Sequence, residues 1–193
     1  MSKEFELKYA ATPEILSAVR AELDAVTEIA METTYYDTPN KDLSARHMTL
    51  RRRYENGTSV CTLKAPDGAN RRKEYETEAA TIEEAIPILC KLSGWEELKI
   101  LTAKGLITVC GARFTRQAAT VTLLDCVVEI ALDSGVLMGG GREVPLCELE
   151  VELKSGSEAT ATYFANVLAA RHGLVRESKS KFARALALAE QST

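Results

Sequence analysis

Glu148, Glu150 and Glu152 stand at alternate positions, and so do Glu4, Glu6 and Lys8; Arg51 and Arg53; Thr62 and Lys64; and Arg72, Glu74 and Glu76. Alternate side chains of a strand share one face and lie about 7 Å apart. Each set therefore presents its charges together, often like sign beside like sign. Clustered carboxylates are hard-oxygen ligands for Mg2+ or Mn2+. Clustered arginines and lysines grip phosphate oxygens, arginine as a fork and lysine as a point charge. A short polyphosphate carrying a divalent metal needs both walls at once. Such walls cannot line a dry core, because an unpaired buried charge costs several kcal/mol.

Strands must carry these residues, and the pattern places about eight of them. Glu4 to Tyr9 alternates strictly, and Thr33 to Thr38 is β-branched and aromatic. Thr49 to Glu55 and Thr58 to Lys64 flank Asn56-Gly57, a strong hairpin signal. Arg71 to Ala80, Phe114 to Leu124, Val127 to Leu137 and Val144 to Leu153 complete the set, with Arg116 on the sixth strand and Glu129 and Asp133 on the seventh. The opposite faces hold Phe5, Leu7, Tyr75, Ile130, Leu132, Leu149, Val151 and Leu153, which must pack. Helices available to cover them are expected over Pro13 to Val26, after the Thr81–Glu84 capping box with a break near Pro87, and over Ser157 to His172 and Ser178 to Glu190. Residues 94–105 carry no clear signal. Neighbouring strands favour antiparallel pairing, and eight can close around one small ligand. The expected fold is α+β, an eight-stranded antiparallel barrel with helices outside, as one domain over residues 1–193.

The chain has 193 residues, 24 basic and 28 acidic, and a net charge of −4. That excludes a nucleic-acid binder recruited by bulk charge, so an anion must be caught locally. No apolar run approaches the roughly 18 residues of a membrane span, and the first residues show no signal segment, so a cytoplasmic address is expected. Five scattered cysteines without a CxxC pair argue against a disulfide framework or a structural zinc site.

The ordered series Glu4-x-Glu6-x-Lys8, Tyr36-Asp37-Thr38-Pro39, Leu50-Arg51-x-Arg53, Thr62-x-Lys64, Arg72-x-Glu74-x-Glu76, Glu129 to Gly135, Glu148 to Leu153 and Ser180-Lys181 resembles the CYTH family, the triphosphate tunnel metalloenzymes, and within it the bacterial inorganic triphosphatases. The resemblance runs from residue 3 to about 185. It implies a barrel open at both ends with a metal-dependent site inside, holding two Mg2+ or Mn2+ ions. It assigns metal to Glu4, Glu6, Glu148, Glu150 and Glu152, with Asp133 nearby, and triphosphate to Lys8, Arg51, Arg53, Lys64, Arg72, Arg116 and Lys181. Lys8 and Lys181 are candidates for the scissile end, and Glu74 and Glu76 match further tunnel carboxylates. One departure is Ala118, where the family often has a second basic residue after Arg116.

The activity implied is metal-dependent hydrolysis of inorganic triphosphate to pyrophosphate and phosphate. Alternatives on the same scaffold are thiamine triphosphate or nucleoside triphosphate hydrolysis, or ATP cyclisation as in class IV adenylate cyclases. A metal-polyphosphate binding module without turnover is the alternative of another class. The expected partner is a small triphosphate, with a homodimer as the one protein assembly considered and neither nucleic acid nor membrane. Gly139-Gly140-Gly141 reads as a hairpin connection, His47 and His172 as structural, and Trp95 as core.

Overall fold

A computed structural model describes residues 5–66 and 72–191, with the side chain of Arg72 outside the description. Its centre is one antiparallel sheet of nine strands: β1 (Glu6–Ala10), β2 (Thr27–Asp37), β3 (Thr49–Glu55), β4 (Thr58–Pro66), β5 (Arg72–Glu78), β6 (Ile107–Thr122), β7 (Cys126–Gly139), β8 (Arg142–Gly156) and β9 (Val175–Arg176). The order is β5-β4-β3-β2-β6-β7-β8-β1-β9. β9 is the strand beyond the expected eight; two residues are too few to show alternation. The ladder as described is open between β5 and β9, and the segments leading into β1 and β5, residues 1–4 and 67–71, lie outside the described residues.

The turn chemistry explains much of this order. Asn56 (φ 49°) and Gly57 (φ 91°) join β3 to β4 in the left-handed conformations that a two-residue hairpin demands. Gly140 (φ 58°) and Gly141 (φ 74°) do the same between β7 and β8. The described α-helices are α1 (Pro13–Arg20), α2 (Ile82–Ser93), α3 (Glu97–Thr102), α4 (Glu158–His172) and α5 (Lys181–Glu190), and all but α3 start at a side-chain cap. The hydroxyls of Thr12, Thr81, Ser157 and Ser180 accept from the third amide along.

Several elements differ from expectation, β2 among them, which starts at Thr27 rather than Thr33. α1 stops at Arg20, because Ala25 takes a positive φ (48°) and β2 starts at Thr27. β6 starts seven residues earlier than its alternation suggests. α2 runs unbroken through Pro87, which is exposed, so the carbonyl its ring crowds can turn to water. Among the described residues no helix is long and apolar enough to cross a membrane.

The apolar face of the sheet packs in two halves. Val128, Ile130, Leu132, Leu149 and Val151 meet Leu16 and Val19 of α1 and Ala161, Ala165 and Leu168 of α4. Leu50, Cys61 and Leu63 meet Ile82, Ala85, Ile86, Leu89 and Cys90 of α2 and Leu98 of α3, with Trp95 at the edge of this cluster. Helix α5 does something different. It lies on the charged face, over an apolar patch of Tyr35, Phe114, Leu137 and Leu146, through Phe182, Ala185 and Leu186. One end of that face is therefore hydrocarbon, which strict strand-by-strand alternation of charge does not reveal.

Gly139 allows this docking. A Cβ there would overlap the Ala185 carbonyl oxygen and crowd the Ala189 amide. Gly139→Val is expected to lift α5 from β7 at a cost of about 1–3 kcal/mol while the sheet persists. Limited proteolysis between β9 and α5 is the check; unchanged protection there would show that the helix does not rest on this glycine.

Candidate functional site

Strand register sets the charged residues in three rows across β6, β7, β8 and β1. Arg116 faces Asp133, which faces Glu148, which faces Ala10. The next row runs Ala118, Ala131, Glu150 and Lys8. The third runs Thr120, Glu129, Glu152 and Glu6. Because every pair is antiparallel and side chains alternate, all of these project from the same face.

The first two rows form a closed ionic cluster with α5. Asp133 and Glu148 are 0% exposed. Oxygens of Asp133, Glu148 and Glu150 lie within 4.8 Å of one another. Arg116 forks onto Asp133 at 2.8 and 2.7 Å and reaches Glu150 at 2.5 Å. The Lys181 ammonium contacts Asp133 Oδ2 and Glu150 Oε1, each at 2.8 Å, and bonds Glu148. Arg184 bonds the other Glu148 oxygen. Three carboxylates thus meet three cations, and each of the six oxygens has an N–H. The Phe114 ring floors the cluster, 5.4 Å from Lys181 Nζ and 6.0 Å from the Arg116 guanidinium carbon.

This arrangement separates the acids. Burial opposes ionisation of Glu150, yet Lys181 and Arg116 hold it well below the carboxylate range. Burial pushes Glu148 up to about 7, against the pull of Lys181 and with a further push from Glu150. Burial likewise opposes the charge of Lys181, but Glu150, Asp133 and Glu148 raise it above the ordinary lysine range.

The raised Glu148 makes a pH prediction. A carboxyl raised in the fold contributes stability below its unfolded value and loses it as pH climbs through the folded one. Wild type is expected to lose stability relative to Glu148→Gln from pH 4.5 to about 7, by at most about 3 kcal/mol. Melting temperature against pH for both proteins, without metal, is the measurement. A constant difference across that window would mean Glu148 does not titrate there.

The basic wall stands across β2, on β3 and β4. The side chains of Arg51 and Arg53 are 11% and 12% exposed. Arg53 donates to Thr33 at 3.2 Å and meets Glu55 at 3.4 Å. Burial, followed by the like charge of Arg51, lowers Arg53 to about 10, so it still carries its proton at neutral pH. Arg51 is 3.6 Å from Glu76, while its buried Nε has no hydrogen-bond partner among the described residues. Lys64 pairs with Glu74. Glu74 and Glu76 therefore neutralise the basic wall and stand apart from the acidic one.

Of the expected site residues, Asp133, Glu148, Glu150, Arg116 and Lys181 meet directly. Glu6, Lys8 and Glu152 occupy the adjoining rows, with Lys8 and Glu6 3.3 Å apart. Arg51, Arg53, Lys64, Glu74 and Glu76 share the other wall. Glu4 and the side chain of Arg72 lie outside the described residues. Sequence reasoning missed Arg184; its place one turn beyond Lys181 on a capped helix was the available signal. Ala118 sits opposite Ala131, and Arg113 points away to Glu143 at 3.3 Å.

The frame of the site is thus an antiparallel sheet with helices on its apolar face and acidic and basic groups gathered on separate strands of the other. The chain matches the CYTH domain over residues 2–186 and belongs to that family. It is 30% identical over 193 residues to an inorganic triphosphatase of Haemophilus influenzae, covering 95% of this chain and 54% of that protein. The chain thus spans about half the length of this curated relative. The fold is similar to that of the Hippeastrum protein HpAC1, whose dominant activity is described as triphosphatase (TM-score 0.67, 16% identity, 100% of this chain and 97% of the other). It is also similar to the protein PH1819 of Pyrococcus horikoshii (TM-score 0.64, 22% identity, 96% and 99%).

Carboxylate oxygens gathered on rigid strands fit a divalent cation in kind. Asp133 and Glu148, however, are sealed by Lys181 and Arg184, whereas Glu150 (12%), Glu6 (29%) and Glu152 (30%) keep part of their side chains exposed.

Proposed function

We propose that this chain hydrolyses inorganic triphosphate to pyrophosphate and phosphate with Mg2+ or Mn2+, two ions per site. The carrying observation is the Arg51–Arg53 pair: two nearly buried like charges on β3, one with an Nε that has no partner among the described residues, share a sheet face with the carboxylates of β7 and β8, with β2 and β6 between them. Such a pair calls for a multivalent anion, and the acidic wall calls for the metal that accompanies it. The name of the Haemophilus relative supports the same choice.

In this reading Glu6, Glu150 and Glu152, with Glu4, would hold the metal, backed by Asp133 and Glu148. A divalent cation bound there supplies neutralisation of the charge on the phosphoryl oxygens. Arg51, Arg53 and Lys64 bind and align the phosphate chain; Arg72 is a further candidate from the sequence, and Arg116 acts through Glu150, which it bonds. Lys8, between Glu6 and Glu150 in the rows, meets the terminal phosphate. Lys181 acts as a positioning residue, fixing Glu150 while remaining under α5. Water adds at the terminal phosphorus, the bridging P–O bond breaks, and pyrophosphate leaves with the electron pair. Phosphoryl transfer of this kind asks mainly for alignment and charge neutralisation.

Phosphate release from triphosphate, ATP and thiamine triphosphate, assayed side by side with Mg2+ and with Mn2+, tests the proposal. The expected result is fastest release from triphosphate and none without metal. Faster release from ATP or thiamine triphosphate would reassign the substrate. Metal-dependent triphosphate binding with no release would make the chain a binding module.

A further inference from the structure

We propose that Lys154 is the displaceable counter-ion of the metal site, parked on Glu152 and moved aside when a divalent cation engages that carboxylate. The inference rests on the metal-dependent reading above. Lys154 ends the run of alternating charges on β8. Its ammonium lies 2.8 Å from Glu152 Oε2 and 3.3 Å from Glu129 Oε1.

Three lysines thus sit on carboxylates assigned to metal, Lys8 on Glu6 at 3.3 Å among them, and the structure treats Lys181 and Lys154 differently. Lys181 is 8% exposed and meets three carboxylates. Its helix is fastened at the far end by Arg142 on the Leu188 carbonyl (2.5 Å) and by Lys41 on Glu190 (2.8 Å). It cannot leave without undocking α5. The Lys154 side chain is 41% exposed, two residues before Gly156 (φ 94°), where β8 ends. Among the described residues only two half-open carboxylates hold it, and such pairs are weak.

Glu129 makes the exchange inexpensive. When metal takes Glu152, Lys154 keeps Glu129, so no charge is stranded. A divalent ion brings two charges to oxygens where the ammonium brought one, and it approaches them more closely. Glu6 stands opposite Glu152 in register, so the released carboxylate already faces a second ligand. Lys154 then sets metal affinity without being a ligand.

Mn2+ titration followed by electron paramagnetic resonance of the free ion, on the whole chain without substrate, tests this. Lys154→Met is expected to bind Mn2+ about fivefold more tightly than wild type. Lys154→Arg should restore the wild-type constant. The gain should shrink in about 1 M KCl, where the screening length is about 3 Å, because an exposed pair is screened. Unchanged or weaker binding by Lys154→Met would overturn the proposal, and so would failure of Lys154→Arg to restore the wild-type constant. Should the methionine variant fail to fold, Lys154→Gln serves with the same expectations. Wild-type protein that binds no Mn2+ would instead remove the metal reading on which the inference stands.

Discussion

Lys181→Met is expected to lower the stability of the metal-free protein by about 3–5 kcal/mol, the usual cost of removing one partner from a buried ionic group. The reason is countable. Asp133, Glu148 and Glu150 are balanced by Arg116, Arg184 and Lys181, and deletion of the ammonium leaves three negative charges facing two positive ones. Neither Asp133 nor Glu148 reaches water to compensate. The loss should also depend on pH. Burial already pushes Glu148 up to about 7, so below that value a proton can replace the missing ammonium. Urea unfolding at pH 5.5 and pH 8 is therefore expected to show the larger loss at pH 8. A loss under about 1 kcal/mol at both would mean the cluster does not hold α5.

Glu150→Gln is expected to reduce metal-dependent phosphate release by at least about 10²-fold, equivalent to about 3 kcal/mol of barrier. Glu150 stands between the sealed cluster and the open rows. It accepts from Arg116 and Lys181, and Lys8 faces it across β1. The amide keeps the shape but removes the charge that is held ionised well below its ordinary range. Stability should fall too, by up to the roughly 3–5 kcal/mol of a broken buried ionic group, because the amide still accepts one hydrogen bond but turns its NH2 toward the other cation. Turnover within threefold of wild type, in a folded variant, would remove Glu150 from the metal-binding and catalytic set. Comparing activity loss with unfolding free energy separates this outcome from simple misfolding.

The two variants act on neighbouring atoms for different reasons, and their legibility in sequence differs accordingly. Glu150 is visible because a strand repeats every two residues, so Glu148, Glu150 and Glu152 must share a face. Lys181 is visible only through its place in a family-like series; nothing in the local pattern says that its ammonium crosses to β7 and β8. Arg184 follows from Lys181 once the helix is known, since residues three apart share a helical face. Lys154 reads from sequence as one more exposed charge, and its bond to Glu129 depends on which residues pair across the β7–β8 ladder. The irregularity of that ladder falls at Lys154 itself: Val128 pairs with Leu153 and Val127 with Ser155, so Lys154 is the extra residue, and no pattern signal marks it.

Alternation alone determined which side chains project together, because a pleated backbone leaves successive residues no other choice, and the Asn56-Gly57 turn and the helix caps followed from equally local chemistry. Only the tertiary structure decided the row in which each charge sits, that Glu74 and Glu76 neutralise the basic wall, and that α5 closes one end of the charged face. Those outcomes depend on strand register and on helix docking over Gly139, which join residues far apart in the chain and leave no short-range signal. The same packing decides the chemistry, since identical glutamates become a sealed acid pushed up to about 7, a held anion or a half-open carboxylate according to the burial and the cations brought to them.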